Sequence, residues 1–339
     1  MTTSATLTSK LQKVSWSDRR VVLALLLVIV GAVMSLMSPY FLRIDNLLSM
    51  TQFGAVVGLL ALGQAMVILG GAGGIDLSVG STMSLSGVLM GLVAQNTGVS
   101  PWIAALVALA AGLVLGVVNG FLVTVIRIPA LIATLGTLFL YSSVALVLTG
   151  GGQTGGMDRD GFRFLGNSTV LGIPTQVLLV VVPCYLIVGA IFAWTRYGRR
   201  IYQVGNNELA AALVGTNVTL LRFSLYCWSG VLAAIAAIVS NSWLLTARPS
   251  AGLNLELQAV TIAVLGGIHI FGGRGNLGGV ALAVLLVVVL NSGLQLAGFS
   301  QTVQAGVLGA LLVISALLSG VTGFRPWRKG ARARPGHAE

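Results

Sequence analysis

Long apolar runs separated by short polar punctuation dominate the chain. With no charges to break them, they extend over about 21–41, 47–70, 77–95, 102–124, 131–149, 176–195, 223–245, 255–271, 280–297 and 302–320. Most approach the ~20 residues a helix needs to cross the hydrocarbon core of a bilayer. The pattern predicts an all-α polytopic membrane protein of about ten transmembrane helices, with both termini on the same side. Glycine clusters interrupt the runs between 47 and 95 and between 255 and 297, so some of these helices are expected to be broken into halves.

Two polar segments stand outside the spans. Residues 150–174 begin Gly150-Gly151-Gly152-Gln153, carry Asp158, Arg159, Asp160 and Arg163, and form the longest loop on one side. Residues 196–222 form the longest on the other, and a short helix is expected within them. Asn206 or Asn207 supplies the N-cap, Glu208 the first turn, Ala210, Ala211, Ala212 and Leu213 the body, and Gly215 the stop. A helix lying along the membrane is a surface that a partner can grip. Residues 1–20 read as a polar, basic N-terminal segment and 321–339 as a basic tail. The run after residue 20 lacks a small-residue cleavage site, so it reads as an uncleaved first span.

Composition narrows the choice. Of 339 residues, 56% are hydrophobic and 8% charged, whereas about a quarter are charged in a water-facing domain. The net charge of +11 does not mark a nucleic-acid partner, because the basic residues fall in short clusters between apolar runs. Lys10, Lys13, Arg19, Arg20, Arg127, Arg196, Arg199, Arg200, Arg222, Arg274, Arg325, Arg328, Lys329, Arg332 and Arg334 lie on one side of the ten-span arrangement. Arg43, Arg159, Arg163 and Arg248 lie on the other. That bias places the first side, with both termini, in the cytoplasm. Cys184 and Cys227 sit in or beside apolar runs and read as small hydrophobes, with no disulfide and no metal site. Glycines at four-residue spacing (Gly54 and Gly58; Gly87 and Gly91; Gly112, Gly116 and Gly120) predict close helix contacts. Asn119 and Asn291 occupy comparable apolar settings, a hint of two related halves.

Six of the eight acids (Asp18, Asp45, Asp158, Asp160, Glu208 and Glu339) lie in loops or tails, which leaves Asp76 and Glu256 at membrane depth. A carboxylate there is costly unless partnered, so each should have a role. Asp76 sits in Gly73-Gly74-Ile75-Asp76-Leu77-Ser78-Val79-Gly80-Ser81. It can cap the helix that follows, or belong to an unwound segment that offers backbone and hydroxyl groups to a polar solute. Glu256 suits the first turn of a helix and could also gate the outward mouth. Ser78, Ser81, Asn119, Thr134 and Asn291 offer hydroxyls and amides to a solute, or to helix backbone. His269 and His337 have no second ligand at metal spacing. The only lysines are Lys10, Lys13 and Lys329, and none completes a phosphate-binding G-x-x-x-x-G-K-[ST] loop. No hydrolase or metalloprotease motif occurs.

Gly73 to Ser81 resembles the G-G-I-D-L-S-V-G-S signature of permease subunits of bacterial ABC importers of the ribose, xylose, rhamnose and autoinducer-2 type. Glu256-Leu257, Leu265-Gly266-Gly267 and Phe271-Gly272-Gly273-Arg274-Gly275 are similar to that family's second signature. Gly198 to Tyr202, Gly205-Asn206-Asn207, Ala210-Ala211 and Gly215 are similar to its coupling loop. Family members often carry an arginine and a serine at the positions of Ala212 and Val214, an aspartate at Gln258 and a threonine at Val280. The likeness spans about residues 40–320.

The resemblance implies an inner-membrane permease with no cofactor of its own. Its partners would be a cytoplasmic ABC ATPase hydrolysing ATP with Mg, a periplasmic or lipid-anchored solute-binding protein, and a second permease subunit. It also implies ATPase coupling through Gly205, Asn206, Asn207, Glu208, Ala210, Ala211 and Gly215, alternating access, and a small carbohydrate-like solute. Asp76, Ser78, Ser81, Asn119, Glu256 and Asn291 are the candidates for the path or gate. The competing readings are an ion-gradient-driven secondary transporter, for which only Asp76 and Glu256 could form a relay, and a scaffold or intramembrane enzyme, for which no reactive constellation is present.

Overall fold

A computed structural model describes residues 19–323. The N-terminal segment before Arg19 and the basic tail beyond Gly323 lie outside the described residues, with the lysines and arginines counted in them. The ten apolar runs become α1 (Arg19–Met37), α2 (Ile44–Leu69), α3 (Val79–Thr97), α4 (Pro101–Thr124), α5 (Ala130–Thr149), α7 (Val182–Trp194), α10 (Val218–Leu244), α11 (Leu255–Leu265), α12 (Leu277–Leu296) and α13 (Gln301–Gly323). A π-helical turn, Val177–Val181, leads directly into α7. The remaining elements are α6 (Arg163–Asn167), α8 (Arg196–Asn206), α9 (Glu208–Leu213) and a small antiparallel hairpin of β1 (Thr169–Val170) and β2 (Ile173–Pro174).

Seven of these helices are long and apolar enough to cross a membrane among the described residues. The other three fall short for different reasons. Ser81, Thr82, Ser84 and Ser86 make α3 too polar for a lipid-facing helix, yet all four are buried, so α3 meets protein rather than lipid. At ~1.5 Å per residue the 11 residues of α11 reach ~16 Å, about half the hydrocarbon thickness. The apolar stretch of α13 is described as Gln301–Leu317.

The centre of the bundle is α2, in which every residue from Ala55 to Leu69 is buried. Around it, α4 and α5 turn Leu106, Val114, Phe139 and Val147 outward, as lipid contact demands. The four-spaced glycines lie at helix contacts except Gly91, which packs on Thr154 and Ala247 of two loops. A Cβ on Gly112 would run into Gly230 and Ala234, one on Gly116 into Tyr226 and Cys227, and one on Gly120 into Phe223. Thus α4 lies backbone to backbone along α10. Gly54 and Gly58 face Val288 and Val284 of α12, and Gly87 faces Ala237 and Asn241.

Loops predicted to share a side do meet. Gly273 N–H donates to Leu69 O at 3.0 Å, the Asn206 amide to Gly273 O at 3.0 Å, and Arg222 Nε to Gly70 O at 3.1 Å. These contacts form one end of the bundle, the α9 end. At the other, Arg159 donates to the carbonyls of Gly156, Gly98 and Ala94 at 2.9, 3.1 and 2.6 Å. Thr154 and Ala247 pair there through 2.9 and 3.2 Å backbone bonds. The 150–174 loop is thereby bound down on the hairpin end, the side to which the charge pattern assigns it.

Two segments enter the bundle instead of crossing it. From the α9 end, Gly70–Ser78 turns back inside, and α3 begins beside the middle of α10, where Ser229 reaches Asp76. From the hairpin end, residues 246–254 descend along α3. Ala247 lies against Gly91, and Gly252, whose N–H bonds to Ser84 Oγ at 2.9 Å, lies against Gly80. The N-termini of α3 and α11 therefore meet inside the protein, beside the middle of α10. Gly80 and Gly252 are in backbone contact, an approach that any Cβ would block. Of the two glycine clusters that hinted at broken helices, Gly70–Gly74 is the first entry; the other, from Gly266 to Gly279, ends the short α11 and forms the turn at the α9 end, while the second entry, 246–254, lies outside it.

Candidate functional site

The first group of candidates surrounds Asp76. Its Oδ1 accepts from Ser78 N at 3.0 Å and from Ser78 Oγ at 2.7 Å, and its Oδ2 accepts from Ser229 Oγ of α10 at 3.0 Å. The Gln64 side-chain amide of α2 spans the Asp76 peptide groups, donating to its C=O at 3.0 Å and accepting from its N–H at 3.2 Å. The Asn119 amide of α4 donates to Ser78 Oγ at 2.7 Å, and Thr137 Oγ1 of α5 donates to Asn119 Oδ1 at 2.7 Å. One continuous network thus ties α2, α3, α4, α5 and α10 to the end of the entering segment. Asp76 is 2% exposed and Asn119 fully buried.

Asp76 is not the helix N-cap, which is Ser78. It stands two residues earlier, captures the Ser78 N–H and reaches across to a distant helix. Ser81 Oγ donates to Ser78 O at 2.9 Å. Thr134 Oγ1 donates to Ala130 O at 2.8 Å and to Ile75 O at 3.2 Å, pinning the same segment from α5. These hydroxyls are therefore engaged with protein. Glu256, half-buried in the first turn of α11, stands beside Gly80, so its carboxylate meets the positive ends of both α3 and α11. Asn291 of α12 belongs to neither group, and its Oδ1 is buried with no hydrogen-bond partner among the described residues.

The second group is the surface at the α9 end. The expected short helix is α9, and of the two N-cap candidates the structure selects Asn207, whose Oδ1 accepts from Ala210 N at 3.0 Å. Gly215 follows with φ +80°, the left-handed geometry of a helix stop. Asn206 has a different task, since its amide bonds Gly273 O and Tyr202 O. Gly205 packs backbone to backbone on Leu69 and Gly273, and Ala211 is buried. Of the seven coupling residues, Gly205 and Ala211 face the bundle, whereas Asn206, Asn207, Glu208, Ala210 and Gly215 are exposed, Asn206 with its amide bound to the 266–276 turn.

The sequence reading missed the apolar part of this surface. Leu209, Leu213 and Val214 are 78%, 89% and 76% exposed, and their position within a predicted helix was the available signal. It also missed α8, whose start is capped by Thr195 accepting from Gly198 N at 3.1 Å. Burial raises the pKa of the Tyr202 phenol, which stays a neutral donor to Gly275 O at 3.2 Å. Between α9 and the entering segment lies a cavity of about 510 Å³, lined among others by Gly71, Ala72, Arg127, Glu208 and Arg222.

A multi-pass bundle in which two helices start inside and meet at their N-termini has the form of a permease, and comparison with known proteins agrees. Residues 46–316 match the family described as branched-chain amino acid transport system / permease component, and the chain belongs to that family. It is 37% identical over 294 residues to the ribose import permease protein RbsC of Bacillus subtilis, covering 86% of this chain and 90% of that protein. It is 36% identical over 326 residues to the autoinducer 2 import system permease protein LsrD of Enterobacter sp., covering 93% and 96%. With the ribose import permease protein RbsC of Escherichia coli it shares 36% identity over 304 residues, covering 89% and 93%. No solved structure matches. The protein is a multi-pass inner-membrane permease component of the kind found in ABC sugar importers.

Proposed function

We propose that this chain is the translocation subunit of an ATP-driven importer for a small, neutral, carbohydrate-like solute of the pentose, deoxyhexose or autoinducer-2 kind. A separate ABC ATPase grips the α9 end in the cytoplasm, a solute-binding protein delivers from the hairpin end, and a second permease, identical or related, completes the path. Both termini lie in the cytoplasm. ATP binding and hydrolysis in the partner alternate the access of that path to the two sides.

The observation that carries this reading is α9. It presents Leu209, Leu213 and Val214 to the outside while Asn206 and Gly205 bind its approach to the ends of α2 and the 266–276 turn. Exposed leucines beside charged residues on a firmly seated platform form a docking surface. The relatives, and a membrane interior whose polar groups are mainly hydroxyls and amides, support the solute class. An ion-driven carrier is less well supported, since each oxygen of the Asp76 carboxylate is hydrogen-bonded to hydroxyl or backbone donors, with no basic group or second carboxylate among its bonded partners.

The test is co-purification. The tagged chain, extracted in mild detergent from cells expressing its ATPase and binding protein, should retain the ATPase in stoichiometric amount. A chain that purifies alone under conditions that keep it folded overturns the reading.

A further inference from the structure

We propose that Arg222 is a positioning residue that transmits movement of α9 to the Gly70–Ser78 segment; this rests on the reading above that a partner grips α9. Arg222 lies in the first turns of α10 and makes two bonds in different directions. Its Nη2 meets Glu208 Oε2 at 2.9 Å, and its Nε donates to Gly70 O at 3.1 Å. Glu208 is the first residue of α9, and Gly70 is the C-cap of α2, where the entering segment starts. One rigid guanidinium thus joins the docking helix to the chain that ends at Asp76. Its planar fork fixes the directions of both bonds, whereas the freely rotating ammonium of a lysine, on a flexible stem, does not.

The surroundings fit a part that moves. The cavity of about 510 Å³ is bounded by Glu208, Arg222, Gly71, Ala72 and Gly74, so the segment has open space beside it. Three consecutive residues there hold positive φ: Gly71 at +74°, Ala72 at +55° and Gly73 at +65°. For Ala72 this is a strained state that persists only while its neighbours impose it. Nothing stands within 4 Å of where a Cβ on Gly73 would lie. One turn beyond Arg222, the buried Tyr226 hydroxyl has no hydrogen-bond partner among the described residues. Tyr226 lines the same cavity as Arg222 and Gly71. A pull on Glu208 reaches Gly70 through Arg222, while Ser229 and Asn119 hold the far end of the segment.

The test uses the complete assembly in proteoliposomes, with Arg222→Met, Arg222→Lys and Glu208→Gln compared for bound ATPase, ATP hydrolysis, and uptake of labelled ribose as probe. Arg222→Met and Arg222→Lys should keep the ATPase bound and hydrolysing, yet lower solute transported per ATP by about fivefold or more, within the span of known coupling effects. Glu208→Gln, altered only at a half-exposed carboxylate, should fold normally and show a smaller loss of the same kind. Unchanged uptake per ATP in Arg222→Met, full rescue by Arg222→Lys, or a loss matching the loss of bound ATPase would overturn the proposal. Absence of ATPase from the unaltered assembly would instead refute the underlying reading.

Discussion

Replacing Asp76 separates a structural carboxylate from a proton-carrying one. In Asp76→Asn the new amide oxygen can keep both Ser78 bonds, and its NH2 can donate to Ser229 Oγ, whose hydroxyl is free to rotate. The three bonds survive as neutral ones, roughly half as strong, while the desolvation of a buried charge disappears. The two changes oppose each other and leave a net effect of about 1–2 kcal/mol or less. Asp76→Ala removes both acceptor oxygens and with them all three bonds. It strands the buried Ser78 N–H, at about 1–3 kcal/mol, and frees two hydroxyls that must find other partners, for about 3–6 kcal/mol in total. Against a stability of about 5–15 kcal/mol, that loss is large. Thermal melting in detergent should therefore show Asp76→Asn close to the unaltered protein and Asp76→Ala lower by several degrees or unfolded. Uptake by the full assembly should survive in Asp76→Asn. A variant that melts normally but transports nothing would refute the structural account and give the carboxylate a chemical part in transport.

Other consequences follow from the same geometry. Gly116→Leu forces α4 away from Tyr226 and Cys227 of α10, an overpacking that costs about 1–3 kcal/mol or more; the yield of monodisperse protein should fall sharply, whereas Gly136→Leu, at a site with open space around it, should be neutral. Leu209→Ser combined with Leu213→Ser should abolish ATPase binding in pull-downs with no fall in melting temperature. Arg159→Ala removes three bonds to backbone carbonyls, so limited proteolysis should cut the 150–174 loop much faster while the ATPase remains bound.

Much of this architecture was legible because lipid imposes a simple rule. Every apolar run became a helix, and the spaced glycines marked where helices touch. Charges misled where they had partners. The charge of Arg222 suggests the end of a loop, yet α10 begins at Val218 with Asn217 as its cap, and Glu208 neutralises Arg222 within it. Arg196, Arg199 and Arg200 disguised α8, whose buried face is only Gly198, Ile201 and Val204. The glycine cluster before α3 hints at the first entry, but nothing marks the second, because what defines the pair, Gly80 against Gly252 and Asp76 against Ser229, joins residues more than 150 positions apart. For the same reason Ser229, Thr137 and Gln64 escaped notice: a serine, a threonine or a glutamine in a helix carries no local mark of the carboxylate or amide it will meet. Glu256 was legible as a first-turn acid, but its nearness to the start of α3 was not.

The central claim is that the energy for transport arrives from a separate ATPase through the α9 end. The direct measurement is uptake of labelled ribose into proteoliposomes carrying this chain with its companion subunits, under ATP or under an imposed proton or sodium gradient. Accumulation should require ATP, the ATPase and the binding protein, and should persist when ionophores collapse the gradients. Accumulation by this chain alone, driven by a gradient and lost with it, would contradict the account.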